Sequence, residues 1–238
     1  MNTIEVDGFL SEEADEFRLL ILSNHKELFE LYEDLNRFMM GLLMKQRIGN
    51  SIDAKTIGLT LFCRITESVQ AAYVLLERGF MSQAEVLTRA ILESYFILAG
   101  LQKKPELLSC YFNQHEEGRK KALKSACQFK GRALIADAKK HGIEKRYVEQ
   151  KKALSGTQLR LLSPIEWARE ADMEDFYNLH YVTYSNATHS NLSSLHAHWD
   201  GEENDISLAF GPSDRALRLP SLLHGYRRQC DQPYGYSK

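Results

Sequence analysis

Hydrophobic residues recur along the first part of the chain in steps of four and three, through Phe17, Ile21, Leu28, Leu31, Leu35, Phe38 and Leu42, with Asn24 standing in the series. That spacing lines them on one stripe of an α-helix and predicts a single long helix from about Ser11 to Gln46, packed sideways on its neighbours. Asn24 is placed to fix register. Gly49, Asn50 and Ser51 form a turn, and Ile57, Leu61, Ile65, Val69, Ala72 and Leu76 mark a second amphipathic helix from Ala54 to Arg78, ended by Gly79. The stretch from Met81 to Leu101 reads differently. From Val86 onward its apolar residues fall on every side of the helical projection, the pattern of a segment packed all round, and Ser82 and Glu85 have the spacing of a capping box.

Further on, Pro105 suits the first turn of a helix, Gly118 is placed to interrupt it, and helical spacing continues to Gly142. Lys151 to Ser163 reads as a long polar loop. Ser163-Pro164-Ile165-Glu166 is a strong helix start, with Leu162 and Trp167 able to staple it. Helical spacing returns from Met173 to about His196, around a small and polar centre, YSNATHSNLSS. DGEEND is a turn, ISLAF a short strand, and Asp214 to Gln229 a last helix. The expected fold is all-α: a bundle of about five to seven helices over residues 1–199, then a small irregular, β-containing C-terminal segment over 200–238.

Composition narrows the class. At 238 residues, 44% hydrophobic and 26% charged, the chain has the make-up of a globular domain. No uninterrupted apolar run approaches the roughly 18 residues of a membrane span, so no membrane partner is expected. An acidic N-terminus without the basic start of a secretory signal points to the cytosol. Cys63, Cys110, Cys127 and Cys230 form no C-x-x-C pair, which argues against a disulfide framework or a cysteine zinc site and for reduced, mostly buried thiols. The net charge of −2 hides an asymmetry, because residues 103–152 carry 14 Lys or Arg against 6 Asp or Glu. Such a segment can attract phosphate, although solvated helix faces carry charge in the same way.

The candidate chemistry gathers on two helices. Arg89 and Glu93 stand one turn apart in an apolar setting, Arg89 held by Glu93, and a small-polar run brings His189 on another helix. Replacing a buried ion pair by apolar residues is often neutral or better, so stability alone does not account for it. The stretches ERGFMSQAEVLTRAILES and YSNATHSNL resemble a family of bacterial helical proteins catalogued as domain of unknown function 5677, over about Leu61 to Phe210. That family is similar in helix layout to HEPN-type bundles, many of which are metal-independent ribonucleases of toxin and phage-defence systems. The usual HEPN signature is Arg, four to six residues, then His; here Val182, Thr183 and Tyr184 stand where that arginine would precede His189. Arg18 with His25, and Arg218 with His224, do have the spacing.

The resemblance implies an RNA-directed effector, with a second protein of a defence or toxin–antitoxin system as partner; the seam on the first long helix and the Tyr- and Met-bearing faces suggest a homo-oligomer. In the active-site version, Arg89, Glu93 and His189 are catalytic: His189 is the general base, Arg89 steadies phosphate charge, and Glu93 orients Arg89. Tyr184 and Ser185, one turn before His189, bind substrate or hold the imidazole. The bland alternative makes the same residues a hydrogen-bonded helix contact in a non-catalytic interaction or ligand-binding module. A metal set of His189, His196 and His198 with Asp200, Glu202 or Glu203 is disfavoured, because His189 and His196 would lie about 10 Å apart along a helix. Without G-x-x-x-x-G-K-[ST], G-x-G-x-x-G or G-x-S-x-G, no cofactor, nucleotide loop or serine hydrolase is expected.

Overall fold

The computed structural model describes residues 3–188, 195, 198–202, 205–208 and 210–212. The described chain is mostly helical, as its periodicity predicts: α1 (Ile4–Asp7), α2 (Glu13–Asn24), α3 (Lys26–Leu43), α4 (Ala54–Glu77), α5 (Met81–Lys103), α6 (Leu108–Ala126), α7 (Arg132–Lys140), α8 (Ile143–Ala153), α9 (Pro164–Glu170), α10 (Glu174–Phe176) and α11 (Val182–Ala187). A π-helical turn, Tyr177–Tyr181, joins the last two. Strands β1 (Trp199–Glu202) and β2 (Asp205–Leu208) pair as an antiparallel hairpin, with Trp199 opposite Leu208, where ISLAF was expected to form a strand.

Several predicted helices are divided. The first breaks at His25, whose φ of −124° and ψ of 32° end α2 and open α3. Ser23, Asn24 and His25 are three weak helix formers in succession, and the apolar stripe alone could not show that the backbone turns there. Gly118 does not interrupt α6, which runs through it to Ala126; an exposed glycine weakens a helix without breaking it. The break comes later, before Gly131, and α8 fills the stretch between Gly142 and the loop. Ser82 is not a cap either: α5 already begins at Met81, with Phe80 accepting the first helical bond from Ala84 N–H at 3.1 Å. By contrast, Ser163 and Glu166 form the full capping box expected of them. The predicted helix over 214–229 lies outside the described residues.

Two compact units make up the chain. The first comprises residues 1–48, 59–95 and 178–238. Its apolar centre is Ile21 and Phe29, closed in by Phe17, Leu28, Tyr73, Leu76 and Met81. Phe29 meets Tyr73 edge-on, with ring centroids 5.3 Å apart. Glu77, buried at the end of α4, is held by Arg18 at 3.0 Å, so its charge does not stand alone. Gly79 has φ 77°, the left-handed turn that lets Phe80 N–H bond the Leu75 carbonyl at 2.9 Å and finish α4.

The second unit, residues 49–58 and 96–177, is built around Trp167. That ring is 2% exposed, and its Nε1 donates to Gln114 Oε1 at 3.2 Å. Gly100 lies so close that a Cβ there would meet the indole at 3.0 Å, so α5 and α9 approach only because residue 100 has no side chain. Leu162 is buried beside the helix start, as the staple predicts. Lys103 Nζ donates to the Ala171 carbonyl at 2.6 Å and to the Asp172 carboxylate at 2.8 Å, closing the end of α9.

Two further features concern composition. α4 is, by length and composition, apolar enough to cross a membrane, with mean hydropathy 1.2 over its most apolar window and 22% of that window buried. A count of uninterrupted apolar residues passes over it because Arg64 and Glu67 divide the run. The thiols are less covered than expected: Cys110 is buried, whereas Cys63 and Cys127 are exposed.

Candidate functional site

Helix α5 carries Glu85, Arg89 and Glu93 at successive intervals of four, which stacks three charged side chains along one face. The helix is not sheathed in apolar contacts as its composition suggests, because Val86 and Tyr95 are exposed. Its polar face meets the turn and helix that run from Tyr177 to Thr188. A π turn adds a residue to the helical cycle, and such turns recur at functional sites. Here it ends at Tyr181, whose side chain is drawn into the contact.

Arg89 Nε donates both to Glu93 Oε1 and to the Tyr181 hydroxyl, each at 3.2 Å. The Tyr181 hydroxyl in turn donates to the same Glu93 oxygen at 2.6 Å, closing a triangle. Arg89 Nη1 donates to the Thr188 hydroxyl, which in turn donates to the Ser185 carbonyl at 2.8 Å. The guanidinium carbon lies 5.3 Å from the Tyr181 ring centroid. Arg89 therefore has both its Nε and one terminal nitrogen committed to the protein. Its side chain is 22% exposed and that of Glu93 40%, so the couple is neither sealed nor free.

Electrostatics follows from this half-open setting. Burial pushes the Tyr181 phenol up to about 12, and the Glu93 carboxylate that accepts its hydrogen bond pushes the same way. Tyr181 is then a neutral hydroxyl donor throughout the physiological range. Around Arg89, desolvation opposes the charge, yet the Tyr181 and Glu93 contacts outweigh it and hold the guanidinium more firmly protonated than usual. One turn earlier, burial pushes the Glu85 carboxyl up. The Tyr184 phenol is raised by its own burial and then by the charge of Glu85, and Tyr32 by burial and then by Tyr184. Glu85 and Tyr184, and Tyr184 and Tyr32, are thus near enough to feel one another's charge.

Of the residues expected at the site, Arg89 and Glu93 are joined as the spacing predicts. Tyr184 stands in the field of Glu85, and Ser185 takes part through its backbone carbonyl. His189 lies outside the described residues, as does His196. Sequence reasoning missed Tyr181, Thr188 and Glu85. The signal for Glu85 was present, since it continues the four-residue interval of Arg89 and Glu93 backwards; Tyr181 and Thr188 are seven apart and bracket Tyr184 and Ser185 at helical spacing. Among the described residues no three His, Cys, Asp or Glu gather at metal-binding distance.

A helical protein whose polar seam holds an arginine between a carboxylate, a phenol and a hydroxyl is the class that fold and site define. Residues 55–207 match the family of unknown function DUF5677, and the chain belongs to that family. The matched span contains α5, α11 and every residue of the Arg89 network. No curated protein and no solved structure matches the chain.

Proposed function

We propose that this protein is an RNA-directed, HEPN-like effector that works without a metal ion, in a phage-defence or toxin-type setting, with Arg89 and His189 handling one phosphate. The observation that carries the reading is the bond from Arg89 Nη1 to Thr188, the residue that precedes His189 in the chain. Glu93 and Tyr181 fix the guanidinium, so that little ordering is left for the moment a phosphate arrives. His189 is the general base that takes the proton of a ribose 2′-hydroxyl. The 2′-oxygen then attacks the adjacent phosphorus while the 5′-oxygen of the next nucleotide leaves and takes up a proton, giving a 2′,3′-cyclic phosphate. Arg89 offsets the charge that grows on the phosphoryl oxygens, a task for which its planar fork suits it better than lysine. The exposed lysines and arginines of α6, α7 and α8 add attraction for an RNA backbone that does not depend on base sequence.

The test is cleavage of labelled RNA in the presence of a chelator, comparing wild type with His189→Ala and Arg89→Lys. The reading expects metal-free cleavage that His189→Ala abolishes while the melting temperature stays near the wild-type value. Activity unchanged in His189→Ala removes the histidine from the chemistry.

A second reading, a non-catalytic interaction module, is favoured by one feature: three of the contacts around Arg89 are already made by the protein itself. In that case Arg89→Ala and His189→Ala both lower thermal stability markedly, and no RNA is cut by the wild type.

A further inference from the structure

Helix α3 has two apolar faces, and the described residues cover one. Phe29 and Met39 are buried, with Tyr32 and Asn36 between them on the same side, where Asn36 accepts a bond from Gln70 at 2.8 Å. Roughly 100° around the helix, at 3.6 residues per turn, lies the stripe that the sequence marks as a packing seam. It is open: Leu31 is 64% exposed, Leu35 44%, Phe38 64% and Leu42 36%. Steps of four, three and four give these residues the spacing of one coiled-coil seam. A stripe of four large apolar side chains exposes roughly 400 Å², within the range of the largest patch on a typical monomer and about half of one partner's share in a standard interface.

The charges beside the stripe say what covers it. On the N-terminal half of α3 these are Glu27, Glu30 and Asp34 against Lys26, Glu33 being bonded by Tyr73 on the covered side. The other end carries Lys45 and Arg47 just past the helix and no acid, while Arg37 is paired with Asp34 of its own helix at 2.6 Å. Two copies laid antiparallel bring the acidic half of each against the basic end of the other, and the stripe, centred between Leu35 and Phe38, meets itself. A two-fold dimer requires just such a self-complementary patch. Parallel pairing would set acid against acid along the same seam.

We infer that α3 forms an antiparallel two-helix interface with a second copy of this chain, through Leu31, Leu35, Phe38 and Leu42. The buried face of α3 holds the protomer's own fold, and the stripe is left for the partner.

Sedimentation velocity on the full-length chain tests this. The wild type sediments as a dimer with a dissociation constant on the order of 1 µM, and Leu35→Glu with Phe38→Glu raises that constant at least about 100-fold, with an unchanged circular dichroism spectrum. A second set of variants stands independently of that one. Glu27→Lys with Glu30→Lys, and Lys45→Glu with Arg47→Glu, each dimerise weakly alone and form a mixed dimer when combined. A monomeric wild type at about 100 µM, well above that constant, overturns the proposal whatever else covers the stripe. So does a dimer that the Leu35 and Phe38 changes leave intact, or charge variants that gain nothing from mixing.

Discussion

Trp167 in the second unit and Arg89 in the first are each the hub of their region, and they are held in opposite ways. Trp167 is 2% exposed, packed on Gly100, and has one polar atom with one partner, Gln114. Its position follows from burial of a large apolar surface, which is non-directional, so neighbours can shift and still hold it. Arg89 is 22% exposed and is fixed by directed bonds to Glu93, Tyr181 and Thr188. A part-exposed ion pair contributes little to stability by itself, about 0–1 kcal/mol. Trp167 accordingly reads as a structural anchor, and the Arg89 network as an arrangement that sets where charge sits.

The contrast is broken most readily by deletion. Trp167→Ala is expected to cost about 3–5 kcal/mol, read as a large drop in the denaturant midpoint. Arg89→Ala, which leaves Tyr181 and Glu93 short of a partner in a half-open site, is expected to cost about 1–2 kcal/mol. If Arg89→Ala proves the more destabilising of the two, the arginine is a structural tie and the contrast fails.

Much of this was legible before any coordinates. The Arg89 and Glu93 pairing follows from their interval on one helix, and the capping box at Ser163 from its four residues. The division at His25 was hidden because the apolar stripe runs through it without a change of spacing, and a stripe reports which side chains align, not whether the backbone bends. Tyr181 was hidden for another reason. Counting one turn back from His189 leads to Tyr184 and Ser185, and the phenol that reaches Glu93 stands a further turn back, where only a neighbour's side chain shows its use. The stripe on α3 that the spacing marks as a packing seam, and that suggests self-association, is the exposed side of that helix. Periodicity says that a face is apolar, and it is silent on whose surface covers it.

Smaller changes sharpen the comparison. Tyr181→Phe removes one donor to Glu93 and one acceptor for Arg89, for about 1 kcal/mol. It also has a pH signature. The phenol is raised to about 12 in the folded chain and ionises lower when unfolded, so its contribution is intact below about pH 10 and is lost as pH rises from there to about 12. The stability difference between wild type and Tyr181→Phe should shrink through that window, as followed by urea unfolding at each pH; a constant difference removes Tyr181 from the network. The smallest effect belongs to Glu85. Burial raises its folded carboxyl, so stability is fully present in acid and falls as pH rises through the folded value. Glu85→Gln should therefore melt on the order of 2 °C above wild type at neutral pH, a gain that vanishes in acid, where the wild-type carboxyl is protonated too.

The central claim is that Arg89 and His189 share one phosphate of an RNA chain, and the most direct measurement is the end group left after cleavage. Wild type incubated with RNA and a chelator should leave a 2′,3′-cyclic phosphate on the upstream fragment, and His189→Ala, with normal melting, should leave the RNA intact. Cleavage that needs added metal, or that survives in His189→Ala with the same end group, contradicts the account.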